Sequence, residues 1–498
     1  MTEGDTSTEF GNLGESTDHT GGRVVSRRHF LKLAAVTGGT LSVGGGLGTV
    51  LSSCGGSVAT TTTQAVTTTA PAGTTTTAPV PTTTMAPEST TTVSAAAEVG
   101  RAIKLGYVIP ITGPLAPFAA AGKWAQKHFS DAIGDGVVLG DQKKHPFEVH
   151  LVDTQSDSNR AAQVTGDLIQ NTKVDLVMAA VTPDTVNPAA DVAESMGCPL
   201  ISNWSEWHAF TLGRKAPADG FKWTYTYSFD DVFTTINYTG LIGQVQSNKT
   251  VGLVLANDVD GNNWAQWGPP ILQQAGYKVV QTDLYTPGAE DYTAQITAIK
   301  KAGCELMISV MLTPDFTNFW TQAHQQSYKP LVAIGHKGLI FPEGVLAMGN
   351  IGYNLCSAGT FFPDAAFVDS LTGMTCRQLS DEYEASTGSE WSEAIIISVL
   401  FEWAADLFKR TTSIDDKEAI VSAIRTTKLD TCLGTIDFTA PVKENTHHPH
   451  PNACYPPEAA AQWIKATSGK WPIDKVPVFS TDPNLIGVKA KVQPLTYS

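Results

Sequence analysis

Apolar and polar residues alternate over residues 103–109, before the chain reaches Pro110 and a run of turn residues. This alternation predicts a β-strand, and the turn residues predict the loop in which the strand ends. Phe118 lies in that loop, just ahead of a small-residue segment that predicts a helix. In open α/β sheets ligands bind beyond the carboxyl ends of the strands, so this loop is a candidate for function.

The alternation of strand and helix patterns continues to residue 202. We predict strands over 147–153, 174–181 and 198–202, and helices over 159–171 and 189–196. Strands separated by helices of about ten residues indicate βαβ units, and therefore a parallel sheet.

The pattern then restarts at residue 250. We predict strands over 250–257, 277–284, 306–312 and 331–334, and helices over 264–275, 291–302 and 315–326. Two separate runs of this kind predict two α/β lobes, each built around its own sheet.

Aromatic residues occupy alternate positions from Phe221 to Phe229, between the two runs. Period-two aromatic residues are typical of a buried or edge strand. The position of the segment equally favours a strand that crosses from one lobe to the other. Beyond the second run, the pattern predicts helices over 393–409 and 417–425, a short strand over 434–438, and a strand and turn over 461–471.

Length and charge narrow the function classes. The chain has 498 residues, a net charge of -15 and a pI near 5.1. This length is sufficient for two or more domains. Binding to nucleic acid requires clustered Lys and Arg, so we predict no nucleic-acid partner.

The N-terminus predicts export rather than a folded domain. Arg27 and Arg28 precede a weakly apolar, Gly-rich stretch that resembles a twin-arginine export signal, and Leu-Ser-Ser-Cys at 51–54 resembles a lipobox in which Cys54 carries lipid. The alternative is a transmembrane helix over 31–53, which its glycines disfavour. Residues 55–100, rich in Thr, Ala and Pro, predict a disordered linker.

Six of the seven cysteines follow Cys54, an even number in a compartment that permits disulfides. Proximity in sequence alone suggests two pairs, Cys356 with Cys376 and Cys432 with Cys454. There is no CxxC motif, so the sequence gives no support for a zinc ribbon or a thioredoxin-type redox site.

Common enzyme motifs are missing from the sequence, including GxSxG, HExxH and the P-loop. We therefore predict no catalytic residue and no cofactor. His447, His448 and His450 form one metal-like cluster, but the prolines beside them favour an exposed loop over a metal site.

The loops after the strands of the first run carry the best candidates. Thr182 and Pro183 precede a helix, whose N-H groups can bind a carboxylate or amide oxygen, although ordinary helix capping is an equal alternative. Trp204, Ser205 and Glu206 combine an apolar wall with polar groups, as ligand sites do. Loop tryptophans can also pin a loop to the core. In the second run Asp260, Asn262, Thr313 and Lys337 follow strands, and each also fits an ordinary turn.

Several of these segments together resemble the branched-chain amino-acid-binding family of type I periplasmic solute-binding proteins, which serve ABC importers. The resemblance covers residues 103–438 and is most specific in IKLGYVIPITGPLAPF, VDTQSDSNRAAQVTGDLI, CPLIS, GLVLANDVDG and DYTAQITAIKKAGCELMI. It implies an α/β fold of two Rossmann-like lobes, with parallel sheets flanked by helices, joined by three crossover segments and closing on a small ligand. The implied lobes are 101–226 with 358–434, and 227–357 with 435–498, after the signal (1–54) and the linker (55–100).

The resemblance also implies a ligand site in the cleft between the lobes. Its implied members are Phe118, Thr182, Pro183, Trp204, Ser205, Glu206, Asp260, Asn262, Thr313 and Lys337, with Tyr227 as a further wall. Lys337 falls where amino-acid binders resemble one another in having an acidic residue for the α-ammonium. Because like charges repel in a crevice of low dielectric, we expect a carboxylate, amide or urea-like ligand rather than a simple α-amino acid.

Three functions follow as hypotheses. The first is a lipid-anchored receptor at the outer face of the cytoplasmic membrane that delivers a small organic ligand to an ABC permease. The second is a sensor that reports the ligand without transport. The third is an exported enzyme that uses Asp184, Glu206 or Asp260 as acid or base, a reading weakened because no nucleophile or metal accompanies these carboxylates.

Overall fold

The fold is given by a computed structural model, which describes residues 97–443 and 446–497. The export signal, Cys54 and nearly all of the 55–100 linker lie outside these ranges. Among the residues described, no helix is both long enough and apolar enough to cross a bilayer.

Strands and helices alternate along most of the chain. The strands are β1 (Ile103–Ile109), β2 (Val137–Val138), β3 (Lys144–His145), β4 (Phe147–Asp153), β5 (Leu176–Ala180), β6 (Leu200–Asn203), β7 (Thr224–Tyr227), β8 (Thr250–Leu255), β9 (Lys278–Gln281), β10 (Leu306–Val310), β11 (Val332–Gly335), β12 (Cys356–Gly359), β13 (Lys428–Thr431), β14 (Gly434–Asp437), β15 (Ala453–Cys454), β16 (Ala459–Lys465) and β17 (Ile473–Ser480). The α-helices are α1 (Gly122–Ile133), α2 (Ser158–Asp167), α3 (Pro183–Ser195), α4 (Asp231–Ile242), α5 (Val259–Gln274), α6 (Thr293–Lys301), α7 (Thr313–Gln325), α8 (Pro342–Ala347), α9 (Cys376–Thr387), α10 (Val399–Arg410) and α11 (Lys417–Arg425).

Two sheets organise the molecule and confirm the prediction of two α/β lobes. The first has the order β15-β7-β6-β5-β1-β4, with parallel pairing throughout. The second has the order β17-β16-β12-β11-β10-β8-β9 and is parallel from β12 to β9, whereas β16 and β17 pair antiparallel at its edge. Strands buried on both faces, such as β5 and β10, read as the continuous apolar runs that helices on either side require.

Each lobe has its own core. In the first lobe, Phe401 of α10 packs edge-on against Tyr107 of β1 and close to Phe129 of α1, with ring centroids 5.0 Å apart in both pairs. In the second lobe, Phe316 and Trp320 of α7 stack one turn apart against the sheet. Residues four apart share one helix face, which explains why the predicted helix pattern here was reliable.

The chain passes between the lobes three times, through residues 228–230, 360–361 and 455–458, which confirms the three crossovers. The aromatic segment is a strand of the first sheet, β7, and the crossing follows it. One implied boundary is wrong: residues 435–454 do not join the second lobe, because Ala453–Cys454 pairs in parallel with β7. The other lobe boundaries remain proposals.

The six cysteines after Cys54 are free and buried. The suggested disulfides are therefore wrong. Cys356 lies in β12 of the second lobe, whereas Cys376 begins α9 of the first, with its Sγ 3.4 Å from the carbonyl oxygen of Cys432. Proximity in sequence does not bring the thiols of Cys356 and Cys376 together, since the second crossover separates these two residues.

Candidate ligand-binding site

A cavity lies between the two sheets, beyond the carboxyl ends of their strands. Its empty volume is about 520 Å³, part of it open to solvent. Both lobes and all three crossovers contribute to it. The lining residues are Phe118, Thr182, Trp204, Phe229, Thr234, Asp260, His336, Lys337, Ile340, Ala358, Gly359, Thr360, Glu393, Ile396 and Glu458.

Aromatic rings form one wall of the cavity. Phe118, from the loop after β1, meets Trp204 edge-on with centroids 5.2 Å apart, and meets Phe341 of the second lobe at 4.8 Å. Phe229, from the first crossover, lies 6.4 Å from Trp204 and 5.8 Å from His336. These edge-to-face contacts span both lobes, so the wall is complete only when the lobes are together.

The backbone is strained at the first-lobe rim. Val181, Thr182 and Trp204 have positive φ angles of 84°, 54° and 61°. A side chain with a Cβ adopts such angles at a cost of about 1–3 kcal/mol each, and they concentrate at functional sites. Thr182 caps α3 and Trp204 follows β6, so the strain lies at the ends of two adjacent strands.

The same two residues carry buried polar atoms that bind nothing. Within the described residues, Thr182 Oγ1 and Trp204 Nε1 have no hydrogen-bond partner. A buried polar group without a partner costs about 1–3 kcal/mol. Both residues line the cavity, so a ligand there can satisfy an N-H donor and a hydroxyl.

The opposite end of the cavity is acidic. Lys337 Nζ lies 2.7 Å from Asp258 Oδ2 and 2.7 Å from Asp260 Oδ2. Burial opposes the charge of Lys337, but these carboxylates outweigh it and raise its pKa. Asp260 Oδ1 has no partner in the described part of the chain, and burial raises the pKa of this carboxyl.

This geometry changes the role expected for Lys337. Its charge is already balanced by Asp258 and Asp260, and the three groups together carry a net negative charge. The reason for excluding an ammonium group therefore no longer holds. Asp260, rather than Lys337, presents a free polar atom to the cavity.

A neutral histidine lies between the two ends. His336 is buried, and its Nδ1 lies 2.8 Å from the hydroxyl of Tyr238. Burial, helped by the charge of Lys337, lowers its pKa to about 3. His336 therefore adds a polar edge to the cavity without adding charge.

Two buried glutamates fix the crossovers. Glu393 accepts from the backbone N-H of Thr360 and Phe361, and its Oε2 lies 3.3 Å from Lys475 Nζ. Glu458 accepts from the backbone N-H of Asp230 at 2.9 Å and from the hydroxyl of Thr234. Each carboxylate accepts hydrogen bonds from the backbone of a crossover at the edge of the cavity, where the lobes would hinge.

Several residues proposed for the site do not line the cavity. Pro183 begins α3, and Ser205 donates to Asn187 Oδ1 at 3.0 Å behind the wall. Glu206 accepts from the backbone N-H of His208 and Ala209, and so caps the turn that follows it.

The remaining candidates, one from the first lobe and the others from the second, divide in the same way. Tyr227 is a core residue of β7, and its hydroxyl donates to the carbonyl oxygen of Leu433. Asn262 is exposed and donates to the carbonyl oxygen of Asp258, while Thr313 begins α7 outside the cavity lining. Phe118, Thr182, Trp204, Asp260 and Lys337 are the proposed residues that the structure brings together.

The sequence reading missed the lining residues that come from the crossovers. Phe229, Thr360 and Glu458 lie at lobe junctions, and Glu393 packs against one of them. Phe229 could have been found, because it is the last of the alternating aromatic residues and follows the strand. The others carry no local signal, since only the meeting of the lobes brings them into one cavity.

The structure offers no metal centre among the residues it describes: no group of three or more His, Cys, Asp and Glu is placed to hold an ion. His447 and His448 bind the backbone through Nδ1, to the carbonyl oxygens of Tyr455 and Ala440. The main cavity can enclose a molecule and satisfy its polar ends through Thr182 Oγ1, Trp204 Nε1 and Asp260 Oδ1.

Comparison with known families and proteins agrees with this fold. A profile of the periplasmic binding protein family matches residues 102–455. The chain is 24% identical over 370 residues to the Leu/Ile/Val-binding protein homolog 3 of Brucella melitensis, which covers 70% of this chain and 91% of that protein.

Solved structures share the fold at lower identity. A branched-chain amino acid substrate-binding protein of Streptococcus pneumoniae, crystallised with isoleucine, is 18% identical with a TM-score of 0.60, covering 75% of this chain and 99% of that one. A solute-binding protein of Rhodopseudomonas palustris, crystallised with 3,4-dihydroxy benzoic acid, is 16% identical with a TM-score of 0.60, covering 77% and 99%. At these identities the likeness establishes the fold alone.

Proposed function

Because the chain belongs to the periplasmic binding protein family, we propose that it is the extracytoplasmic solute-binding component of an ABC importer. It would close its two lobes on a small organic molecule and present the closed form to a permease. The observation that carries this proposal is the cavity between the lobes, where Thr182 Oγ1, Trp204 Nε1 and Asp260 Oδ1 await partners.

The chemistry of the cavity restricts the ligand. Trp204 Nε1 donates a hydrogen bond, so it suits a carboxylate or carbonyl oxygen, while Asp260 Oδ1 suits an ammonium or amide N-H. The rings of Phe118 and Phe229 suit an apolar body between them. An amino-acid-like compound, an amide or a urea-type compound meets all three requirements, whereas a simple carboxylate leaves Asp260 without a donor.

The known ligands of the structural relatives frame this choice. The Streptococcus pneumoniae protein binds isoleucine, and the Rhodopseudomonas palustris protein binds 3,4-dihydroxy benzoic acid. The net negative charge of Lys337 with Asp258 and Asp260 favours a ligand of the first kind, because a carboxylate near that end meets like charge.

The cellular setting is also part of the proposal. A twin-arginine signal and lipidation of Cys54 would hold the protein at the outer face of the cytoplasmic membrane, with residues 55–100 as a tether. A sensor that binds the same ligand without transport is the alternative, and adjacent permease and ATPase genes would favour uptake. The enzyme hypothesis is set aside, because the relatives of this chain are solute-binding proteins.

The test is mass spectrometry of the small molecules that co-purify with the protein, followed by thermal shift with acids, amides and amino acids. One compound should raise the melting temperature, because it binds the folded state alone. Asp260→Asn should weaken the binding of that compound by tenfold or more if an N-H or ammonium group of the compound meets Oδ1. Asn262→Ser, on the exposed side of the same helix, should leave the binding unchanged. If no compound co-purifies and none shifts the melting temperature, the proposal fails.

A further inference from the structure

Two acidic side chains from opposite lobes meet beside the cavity. Glu206 of the first lobe and Asp231 of the second are almost completely buried. One amide joins them: Asn263 Nδ2 lies 2.6 Å from Glu206 Oε1 and 2.8 Å from Asp231 Oδ2. We name Glu206, Asp231 and Asn263 the acidic seam. Asn263 lies on α5 of the second lobe, so the bond to Glu206 exists only while the lobes are together.

The donors in the seam are too few for two isolated charges. Glu206 also accepts from the backbone N-H of His208 at 2.7 Å and Ala209 at 2.6 Å, within its own lobe. Asp231 also accepts from Trp264 Nε1 at 2.9 Å. No cation pairs with either carboxylate among the residues described. His208, the ring nearest Glu206, stays neutral because burial lowers its pKa to about 4.

The surrounding charges reinforce the repulsion. Burial, then the neighbouring acidic groups, raise the pKa of both Glu206 and Asp231 well above ordinary carboxyl values. Burial and the charge of Asp260 raise the pKa of Asp184 on α3 to about 6. Asp230 from the first crossover and Asp260 from the start of α5 act on both carboxylates, and Glu458 from the third crossover acts on Asp231. His208, from the turn after Glu206, lies beside Glu206. Asp184 from α3, Asp258 and Lys337 bear on the seam through Asp260, with which they interact. Lys337 is committed to Asp258 and Asp260.

Acidic groups of both lobes also lie near Glu390. Glu390 of the first lobe is buried, and its Oε2 has no partner in the described residues. Burial raises its pKa to about 8, and the charges of Glu384, Asp474 and Glu343 add to this. Asp474 and Glu343 belong to the second lobe, so like charges face each other across the interface here as well.

We propose that closing the lobes takes up a proton at the Glu206–Asp231 pair, so that acidification favours the closed form. One carboxylate of the pair becomes a carboxylic acid when the lobes meet, and releases its proton to water when they part. The inference rests on the lobe closure of the proposed function, but not on the identity of the ligand.

The direction follows from linkage. We expect opening of the lobes to expose Glu206 and Asp231 to water, which would return their pKa values towards the ordinary carboxyl range. When the lobes are closed, both groups hold a proton more tightly. The proton's contribution to closure is therefore complete below the ordinary carboxyl range, and is lost as the pH rises through the higher value of the closed form. One linked proton changes the ratio of closed to open molecules by at most about tenfold per pH unit.

The experiment measures the distance between the lobes in the ligand-free protein. Leu212→Cys on the first lobe and Leu346→Cys on the second place spin labels at exposed positions, whereas the native cysteines described by the structure are buried. Pulsed electron paramagnetic resonance would measure the distance between the two labels in the full chain, which also carries Cys54→Ser, from pH 8 to pH 5. Glu206→Gln tests the seam, because glutamine keeps an acceptor for the backbone N-H groups of the turn. Glu148→Gln, on exposed edge strand β4, is the matched control.

In the parent and in Glu148→Gln, the fraction with the short distance should rise as the pH falls. In Glu206→Gln that fraction should already be high at pH 8 and should change several-fold less with pH. Asp231→Asn should act in the same way, and checks the result if Glu206→Gln folds poorly.

The proposal is overturned if the parent shows the same distances at both pH values, or if Glu206→Gln and Asp231→Asn keep the parent's full pH dependence. Either result leaves the proposed function standing if a ligand still shifts the melting temperature. The converse, pH-linked closure with no ligand found, would reject the proposed function and keep this one.

Discussion

Replacing Lys337 by methionine tests whether this lysine serves the two aspartates beside it rather than an acidic ligand. The Lys337 side chain is 5% exposed, and those of Asp258 and Asp260 are 12% and 9% exposed, so all three depend on one another for neutralisation. Methionine keeps most of the volume and removes the charge. It leaves two carboxylates buried side by side without a cation.

The expected loss can be worked from the distances. Each ion pair spans 2.7 Å, which corresponds to about 6 kcal/mol of attraction at an effective dielectric constant of about 20. Desolvation offsets much of this in the intact protein. Removing one partner of a buried pair costs about 3–5 kcal/mol, because the remaining charge stays buried. We therefore expect Lys337→Met to lower the free energy of local unfolding of the second lobe by about 3–5 kcal/mol at pH 7.5.

The pH dependence has a definite sign. The charge of Lys337 lowers the pKa of Asp260, whereas burial raises it. Without the lysine that carboxyl binds a proton more readily, and protonation removes the uncompensated charge. The loss of stability should therefore be smaller at pH 5 than at pH 7.5.

Hydrogen exchange of the β8 and β11 amides, followed by mass spectrometry, measures this local unfolding directly. Lys222→Met is the control, because Lys222 and its partner Glu418 have side chains that are 52% and 56% exposed, and such a pair is worth less than about 1 kcal/mol. Adding Asp258→Asn to Lys337→Met should recover part of the loss. The reasoning is refuted if Lys337→Met costs no more than Lys222→Met, or if its cost is the same at both pH values.

Two other predictions concern strain and charge elsewhere. Thr182→Gly should stabilise the protein by about 1–3 kcal/mol in urea unfolding, since φ is 54° and ψ is 152°. It should also weaken ligand binding, because the ligand loses its contact with Oγ1. Thr182→Ser should change neither quantity, and a glycine variant that is not stabilised would contradict the strain argument. Burial opposes protonation of His128, but Asp369, whose Oδ2 lies 3.1 Å from Nε2, raises its pKa overall. The stabilisation by His128 is complete below its unfolded pKa of about 6.5 and is lost as the pH rises through its folded pKa. The unfolding free energy should therefore fall from pH 6 to pH 8 less steeply in His128→Gln than in the parent. Equal slopes would contradict this.

The fold could be predicted from the sequence where the pattern is local. β1 and β4 occupy the predicted ranges because their alternation is bounded by turn residues at both ends. Helix α3 begins at Pro183, six residues before its prediction. Pro183 suits the first position of a helix, whereas Pro188 lies inside the helix, and both prolines resemble loop residues in the sequence.

The site was predictable only where one strand end carries it. Phe118 and Trp204 follow β1 and β6, and the rule for parallel sheets places both in the crevice. Tyr227 lies in the core and not in the predicted cavity wall, because alternation along β7 shows that residues share a face but not which face meets the cavity. The pairing of Lys337 with Asp258 and Asp260 depends on loops from two strands, so no local pattern contains it.

Several energetic costs fall where the lobes meet. Val181, Thr182 and Trp204 adopt unfavourable backbone angles there, and Asp260 Oδ1 lacks a partner there. A cleft arranged in this way is poorly satisfied when it closes empty, so closure depends on whatever supplies the missing partners. A ligand supplies them at Thr182, Trp204 and Asp260, and a proton supplies one at Glu206. Both therefore act on the same equilibrium, and each should tighten the binding of the other.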